Sequence, residues 1–253
     1  VKLKVIGCEV LARMLYQTAA QSPHTIDIEL VRYGQHQQPT NLRAILQKAI
    51  DSSAAQGYQA VALAYGLCGK STDGLTAREI PLVIPRAHDC ITLFLGSRAR
   101  YNQQFTETPG TYWYVQDYLE RDDGSGTSMA IGANTAADAE ALRASYVEKY
   151  GEDNADYLME VMGAWQAHYK RAAFIDLGLA DASNIETKAR ADAARRGWTF
   201  EKLPGNLDLI RRLLNGDWDQ DYLILQPGQS ITMAYDDTIL SCQMPGSKVS
   251  GML

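Results

Sequence analysis

No stretch of the chain approaches the ~20 consecutive apolar residues that a membrane-spanning helix needs, so no helical anchor is expected. The opening segment VKLKVIGCEV is too short and too polar for a signal peptide, and the expected location is the cytoplasm. Positive charge is also in short supply. Lys and Arg number 24 against 30 Asp and Glu, a formal charge of −6 that repels a phosphate backbone and argues against nucleic acid as a partner. Cysteine is sparse: four in 253 residues cannot staple a chain of this length, and in a reducing compartment they serve as packing thiols, metal ligands or nucleophiles. Several signatures are missing altogether, namely a G-x-S-x-G elbow, a Walker loop, an H-E-x-x-H helix and a G-x-G-x-x-G turn after a strand. Hydrolase, kinase-like and simple dehydrogenase functions lose their usual support. Short repeats, heptads and low-complexity tracts are likewise missing.

What is present is a chain 46% hydrophobic and 21% charged, the composition of a globular protein with a substantial core. Apolar periodicity alternates between strand and helix. Val1 to Ile6 reads as a strand, Glu9 to Ala20 as a helix and Thr25 to Val31 as a second strand, followed by a loop ending at Pro39 and a helix capped by Asn41. Ala60 to Tyr65 and Pro81 to Pro85 are nearly continuous apolar runs, as expected of parallel strands covered on both faces. Pro109 to Glu120, with Tyr112, Trp113, Tyr114 and Tyr118, reads as an aromatic excursion from the sheet, and Thr135 to Tyr169 as a long helical region broken near Gly151. The rhythm then returns with strands at Ala172 to Leu177, Trp198 to Leu203 and Tyr222 to Gln226, and helices at Asn184 to Arg196 and Asn206 to Leu214. The expected fold class is α/β with parallel, doubly wound sheets. The expected organisation is an N-terminal lobe over residues 1–108, an aromatic and helical connection over 109–170 and a C-terminal lobe over 171–253, with the two lobes facing across a cleft.

Laid over this strand map, the candidate ligands fall into a pattern. Cys8 follows the first strand, His36 the second, Cys68 the third, and His88 with Cys90 the fourth. In an open parallel sheet these ends share one edge, where crevice loops build binding sites. A single buried cysteine at a strand end is commonly a small packing residue. Packing gives no reason, however, for three of four thiols to occupy strand-end loops. Thiolate and imidazole are preferred zinc ligands, and three thiolates can also hold an iron–sulfur cluster, so a metal held by Cys8, Cys68, Cys90 and His88 or His36 is the leading expectation. Tyr65, Gly66 and Gly69 flank the Cys68 thiol, and the two glycines allow backbone N–H groups to approach a bound group. Arg86 is a candidate clamp for an anionic substrate and Glu9 a candidate general acid or base. Asp89 is expected to cap the helix starting near Cys90, and Cys242 to be structural. A thiol nucleophile paired with His88 or His36 is the metal-free alternative.

The phrases YGLCG, IPLVIPRAHDCITLFLGSRARY and PGTYWY resemble those of an uncharacterised bacterial and archaeal family of unknown function, over most of the chain and most specifically around residues 65–114. Genes of that family often stand beside corrinoid-dependent methyltransferases. The resemblance implies a setting and no reaction: a corrinoid as a further cofactor, and a corrinoid protein or methyltransferase as a partner. The resulting expectations are a metal-dependent protein acting on a small ligand, leaning toward a transferase of thiol-linked or corrinoid-linked methyl groups, a non-catalytic corrinoid or metal carrier, or a metal-free thiol enzyme.

Overall fold

A computed structural model describes residues 1–33, 35, 39–121, 143–144, 146–148, 151–156 and 169–244. The chain is an α/β protein with parallel sheets, and it divides into two compact units. Unit one comprises Val1–Arg100 and Asn206–Leu253, and unit two Tyr101–Gly205. Among the described residues no helix is long and apolar enough to cross a membrane.

Unit one is built on strands β1 (Lys2–Cys8), β2 (Thr25–Val31), β3 (Ala60–Ala64), β4 (Leu82–Pro85) and β8 (Tyr222–Leu225), in the order β2-β1-β3-β4-β8. The first four run parallel, and β8 pairs antiparallel with β4. Alternation explains the edge of β1: Leu3 and Val5 are buried, while Lys2 and Lys4 reach Asp27 and Glu29 on β2 at 3.2 and 2.8 Å. The central β3, AVALA, is buried at every position, as a strand with helices on both faces must be. Helix α1 (Ala12–Ala19) links β1 to β2, and α2 (Pro39–Ser53) links β2 to β3. Right-handed crossovers in opposite directions along the sheet put them on opposite faces. Helix α2 begins at Pro39 and not at an Asn41 cap, because proline's fixed φ suits the first helical position and its missing N–H is not needed there. Short helix α3 (Cys90–Leu95) follows β4, and α4 (Arg98–Glu107) leads into unit two.

Unit two contains β5 (Thr111–Val115), α5 (Gln116–Glu120), β6 (Arg171–Asp176), helix α6 (Ser183–Arg196) and β7 (Thr199–Pro204). Its three strands are parallel in the order β5-β6-β7. The aromatic segment is therefore a strand followed by a helix, which corrects its reading as an excursion. Tyr112 and Tyr114 project into the core against Phe174, Ile185 and Ala189, with Trp198 packed on the cluster. Bulky rings at alternate positions here mark one buried face of a strand. The Tyr114 hydroxyl donates to Asp192 at 2.5 Å, and Asp192 also receives Arg196 at 2.9 Å, so the buried carboxylate is neutralised by partners. The long helical region expected over 135–169 lies mostly outside the described residues. Within it, Gly151 adopts a left-handed φ of 81° between helical segments 146–148 and 152–156.

The division differs from the expected one at both boundaries. Residues 206–253 return to unit one through α7 (Asp208–Asn215), β8 and a hairpin of β9 (Ser230–Met233) and β10 (Leu240–Gln243). Helix α7 buries Leu209, Ile210, Leu213 and Leu214 along one stripe and packs against α1, β3 and β4. Sequence periodicity cannot report this return, because an antiparallel edge strand and a parallel one have the same apolar pattern. The loop after β8 lies ahead of β4, away from the edge that carries the thiols: the Gly228 N–H donates to the Ala77 carbonyl at 2.9 Å.

Candidate functional site

The order β2-β1-β3-β4 reverses direction between β1 and β3: the chain leaves β1 toward β2 and then crosses back to β3. At such a switch point the connections diverge and open a crevice at the strand ends. Cys8 is the last residue of β1. The pairing Gly7↔Ala64 sets Cys8 beside Tyr65, the first residue beyond β3.

The loop after β3 is zipped to the loop after β4. Leu67 N–H donates to the Ala87 carbonyl at 2.8 Å and Cys68 N–H to the His88 carbonyl at 2.9 Å. Gly66 sits where the two loops cross, and a Cβ there would stand 2.7 Å from the Ala87 oxygen and 2.8 Å from the Asp89 nitrogen. Glycine is required by close approach, since its φ is not in the left-handed region. The chain then makes a left-handed turn, with φ of 47° at Cys68, 62° at Gly69 and 70° at Lys70. A side chain in this region costs roughly 1–2 kcal/mol, and such strain persists only where surroundings enforce it. Two fully buried hydroxyls do so here: Ser71 donates to the Cys68 carbonyl at 2.8 Å and Thr72 to the Gly66 carbonyl at 3.1 Å. Asp89 caps α3 as expected, accepting from the N–H groups of Ile91 at 3.0 Å and Thr92 at 3.4 Å, which places Cys90 at the first helical position.

Tyr65 is buried, and the Cys8, Cys68 and Cys90 thiols all act electrostatically on its phenol. Burial first, and then the neighbouring thiols, push its ionisation far up and keep it a hydrogen-bond donor. Burial likewise pushes the Cys68 thiol well above its ordinary range; the Gly66 backbone opposes this, while Asp89 and Cys8 reinforce it. The thiolate expected of an activated nucleophile is therefore not what this environment favours at Cys68.

The other expected residues are placed differently. His88 is exposed, and its carbonyl, as noted, receives Cys68 N–H. His36 lies outside the described residues. Gly69 is exposed and serves the left-handed turn. The Glu9 carboxylate accepts the Tyr33 N–H, anchoring the loop after β2. The Arg86 guanidinium donates to the carbonyls of Thr238 and Leu240, so it ties the β9–β10 hairpin to the end of β4. Cys242, expected to be structural, is exposed on β10. Among the described residues no group of three or more His, Cys, Asp or Glu side chains is arranged to hold a metal ion. Sequence reasoning missed Ser71 and Thr72, although two hydroxyl residues closing the turn Gly66-Leu67-Cys68-Gly69-Lys70 are a readable sign of side chains that brace a loop.

A family model matches residues 30–214, well over half of the chain. The chain belongs to DUF1638, a family described as protein of unknown function. The matched span takes in Tyr65, Cys68, His88 and Cys90 and begins after Cys8. No curated protein matches the chain.

Proposed function

We propose that this DUF1638 protein binds a soft metal ion, zinc first, through Cys8, Cys68 and Cys90 and presents it to a small ligand at the strand ends. The observation that supports the reading is the placement of three cysteines at the ends of β1, β3 and β4 beside the switch point of the sheet: Cys8 closes β1, Cys68 lies in the loop after β3 and Cys90 starts the helix after β4. Chemistry favours a cation there. A buried thiol whose ionisation is pushed up is a poor nucleophile on its own, whereas a coordinated thiol is deprotonated by the metal's charge. Three protein ligands leave one position of a tetrahedral ion for a substrate, which is the pattern of a catalytic rather than a structural zinc. Such an ion, when bound, acts as a Lewis acid toward a substrate thiol or oxygen. The chain's own contribution is a backbone frame, from Gly66 to Thr72 and from Ala87 to Asp89, that fixes where two of the sulfurs stand.

A second reading is favoured by the lack of a ready three-ligand group among the described residues: a metal-free crevice in which the thiols line a small-molecule site. Elemental analysis and an absorption spectrum of anaerobically purified protein separate the two. Zinc at about one equivalent, or the brown absorption of an iron–sulfur cluster, supports a thiol-ligated metal, and Cys8→Ser, Cys68→Ser and Cys90→Ser should each lose most of it while Cys242→Ser keeps it. Protein that holds no metal after anaerobic reconstitution, or equal metal content in all four variants, overturns the metal reading.

A further inference from the structure

We propose that the turn Cys68-Gly69-Lys70 holds the phosphate group of a small ligand, on the N–H groups of Gly69 and Lys70 and on the Lys70 ammonium. The inference goes beyond the metal reading and needs no metal. The turn follows β3 at the switch point, where open α/β sheets bind their ligands. The direction of its donors is fixed from behind. The Cys68 carbonyl accepts the hydroxyl of fully buried Ser71 at 2.8 Å and the Ser71 N–H at 3.2 Å. In a trans peptide the N–H lies antiparallel to the carbonyl, so the Gly69 N–H points away from Ser71, and two bonds to the carbonyl polarise that N–H into a stronger donor. Successive left-handed residues line up their N–H groups, and the Lys70 N–H follows. Both residues are exposed, neither N–H has a partner among the described residues, and a Cβ on Gly69 would meet nothing within 4 Å. Charge at the turn is also unmatched. Arg43, on α2, donates to the Lys70 carbonyl at 2.8 Å, and among the described residues neither Arg43 nor Lys70 has a carboxylate partner. The carboxylates of the adjoining loops are engaged by backbone instead: Asp73 accepts the Met233 N–H at 2.9 Å, and Asp89 caps α3. In a chain of formal charge −6, two cations left without carboxylates at a strand-end turn favour an external anion. Phosphate suits it better than carboxylate, because the planar fork of Arg43 is spent on a carbonyl and Lys70 offers a point charge.

The test is an amide NMR titration of the full chain with inorganic phosphate at constant ionic strength, as wild type, as Lys70→Gly, which keeps the left-handed turn, and as Lys188→Gln, which removes an exposed lysine elsewhere. In wild type the Gly69 and Lys70 signals should move most and saturate. The Kd should weaken by about tenfold or more in Lys70→Gly, the usual effect of losing a charge-assisted bond, and stay unchanged in Lys188→Gln. Acetate should bind more weakly than phosphate. Gly69 and Lys70 signals that phosphate leaves in place overturn the site, as does equal phosphate affinity in all three proteins. Acetate that binds as tightly as phosphate overturns the assignment to a phosphate group. If Lys70→Gly does not fold, the wild-type signals and the acetate comparison decide alone. The result is independent of metal content, so failure here leaves the metal reading standing, and a metal-free protein leaves this site standing.

Discussion

The two parallel sheets of this chain end differently, though both are made of strands capped by loops and helices. In unit one the strand ends carry Cys8, Tyr65 and the strained Cys68 turn, braced by buried hydroxyls. In unit two the ends of β6 and β7 carry a closed ion cluster: Lys202 meets Asp176 and Glu186, each at 2.8 Å, and Asp176 also accepts the Gly178 N–H at 2.8 Å. The Lys202, Asp176 and Glu186 charges are each matched by a neighbour. The topologies account for the contrast. Strands in the order β2-β1-β3-β4 reverse direction and open a crevice, whereas β5-β6-β7 proceed in one direction with no switch point among the described strands. A parallel sheet is thus not enough to open a crevice; the reversal of order supplies one, and in unit one Cys8 and the Cys68 turn stand beside it.

The sharpest way to test this contrast is to add one methyl group to a glycine at each edge. Gly66→Ala would press a Cβ onto backbone atoms at 2.7 and 2.8 Å, which cannot rotate away, so the two loops must separate. We expect a loss of about 3 kcal/mol, the upper range of overpacking costs, and with it the loss of any metal or ligand bound at the thiols. Gly178→Ala meets nothing within 4 Å and bears only the left-handed penalty at φ 63°, about 1 kcal/mol. Denaturant unfolding of both variants checks the pair. Equal losses would mean that the crossing of the two loops is not the tight point of unit one.

The ion cluster of unit two should give a visible pH dependence. Lys202 and then the Gly178 N–H hold the Asp176 carboxyl below its ordinary value. A carboxylate whose folded value is depressed stabilises the fold above its unfolded value, near 3.8, and this contribution fades as pH falls from there through the folded value. Unfolding measured from pH 5 downward should therefore show acid destabilisation that is shallower in Lys202→Met. A carbon-detected NMR titration should show Asp176 moving up toward the ordinary range in that variant, and an unmoved titration would break the link to Lys202. The Cys68 thiol of unit one should contribute nothing to this acid limb, since burial pushes its ionisation upward, away from the acid range.

The smallest expected effect has the opposite sign. Lys70 is exposed, yet it holds a left-handed φ of 70°. Lys70→Gly removes roughly 1–2 kcal/mol of backbone strain and adds the extra chain entropy of glycine, roughly 0.5–1 kcal/mol, for a net gain of about 0.5 kcal/mol. A rise in the melting temperature checks it. Destabilisation would show that the lysine side chain does something for the turn that its exposed position does not reveal.

Much of the local structure was legible in the residues. Thr25 to Val31 forms a strand with the expected bounds, and the helix expected from Asn184 to Arg196 begins one residue earlier. The Asp89 cap follows from a short carboxylate standing just ahead of an apolar helical run. Legibility failed where a pattern has two meanings. TYWYV resembles an excursion in sequence, because its aromatic run, with Trp113 between the two tyrosines that face the core, hides the two-residue period of the strand. In sequence Arg86 suits an anion clamp and Glu9 a general acid or base, but long side chains can turn away, and theirs bond to backbone of the β10 approach and of the loop after β2.

By itself the sequence determined the α/β class and the position of Cys8, Cys68 and Cys90 at strand ends, because periodicity, burial and loop position are local properties of the chain. Only the tertiary structure decided that residues 206–253 rejoin the first unit, that Cys68 sits in a left-handed turn where burial disfavours its ionisation, and that Tyr65 is buried beside the end of β1. Those facts depend on strand order and register, which arise from contacts between segments far apart in sequence, and a local pattern carries no record of which distant partner it will pair with.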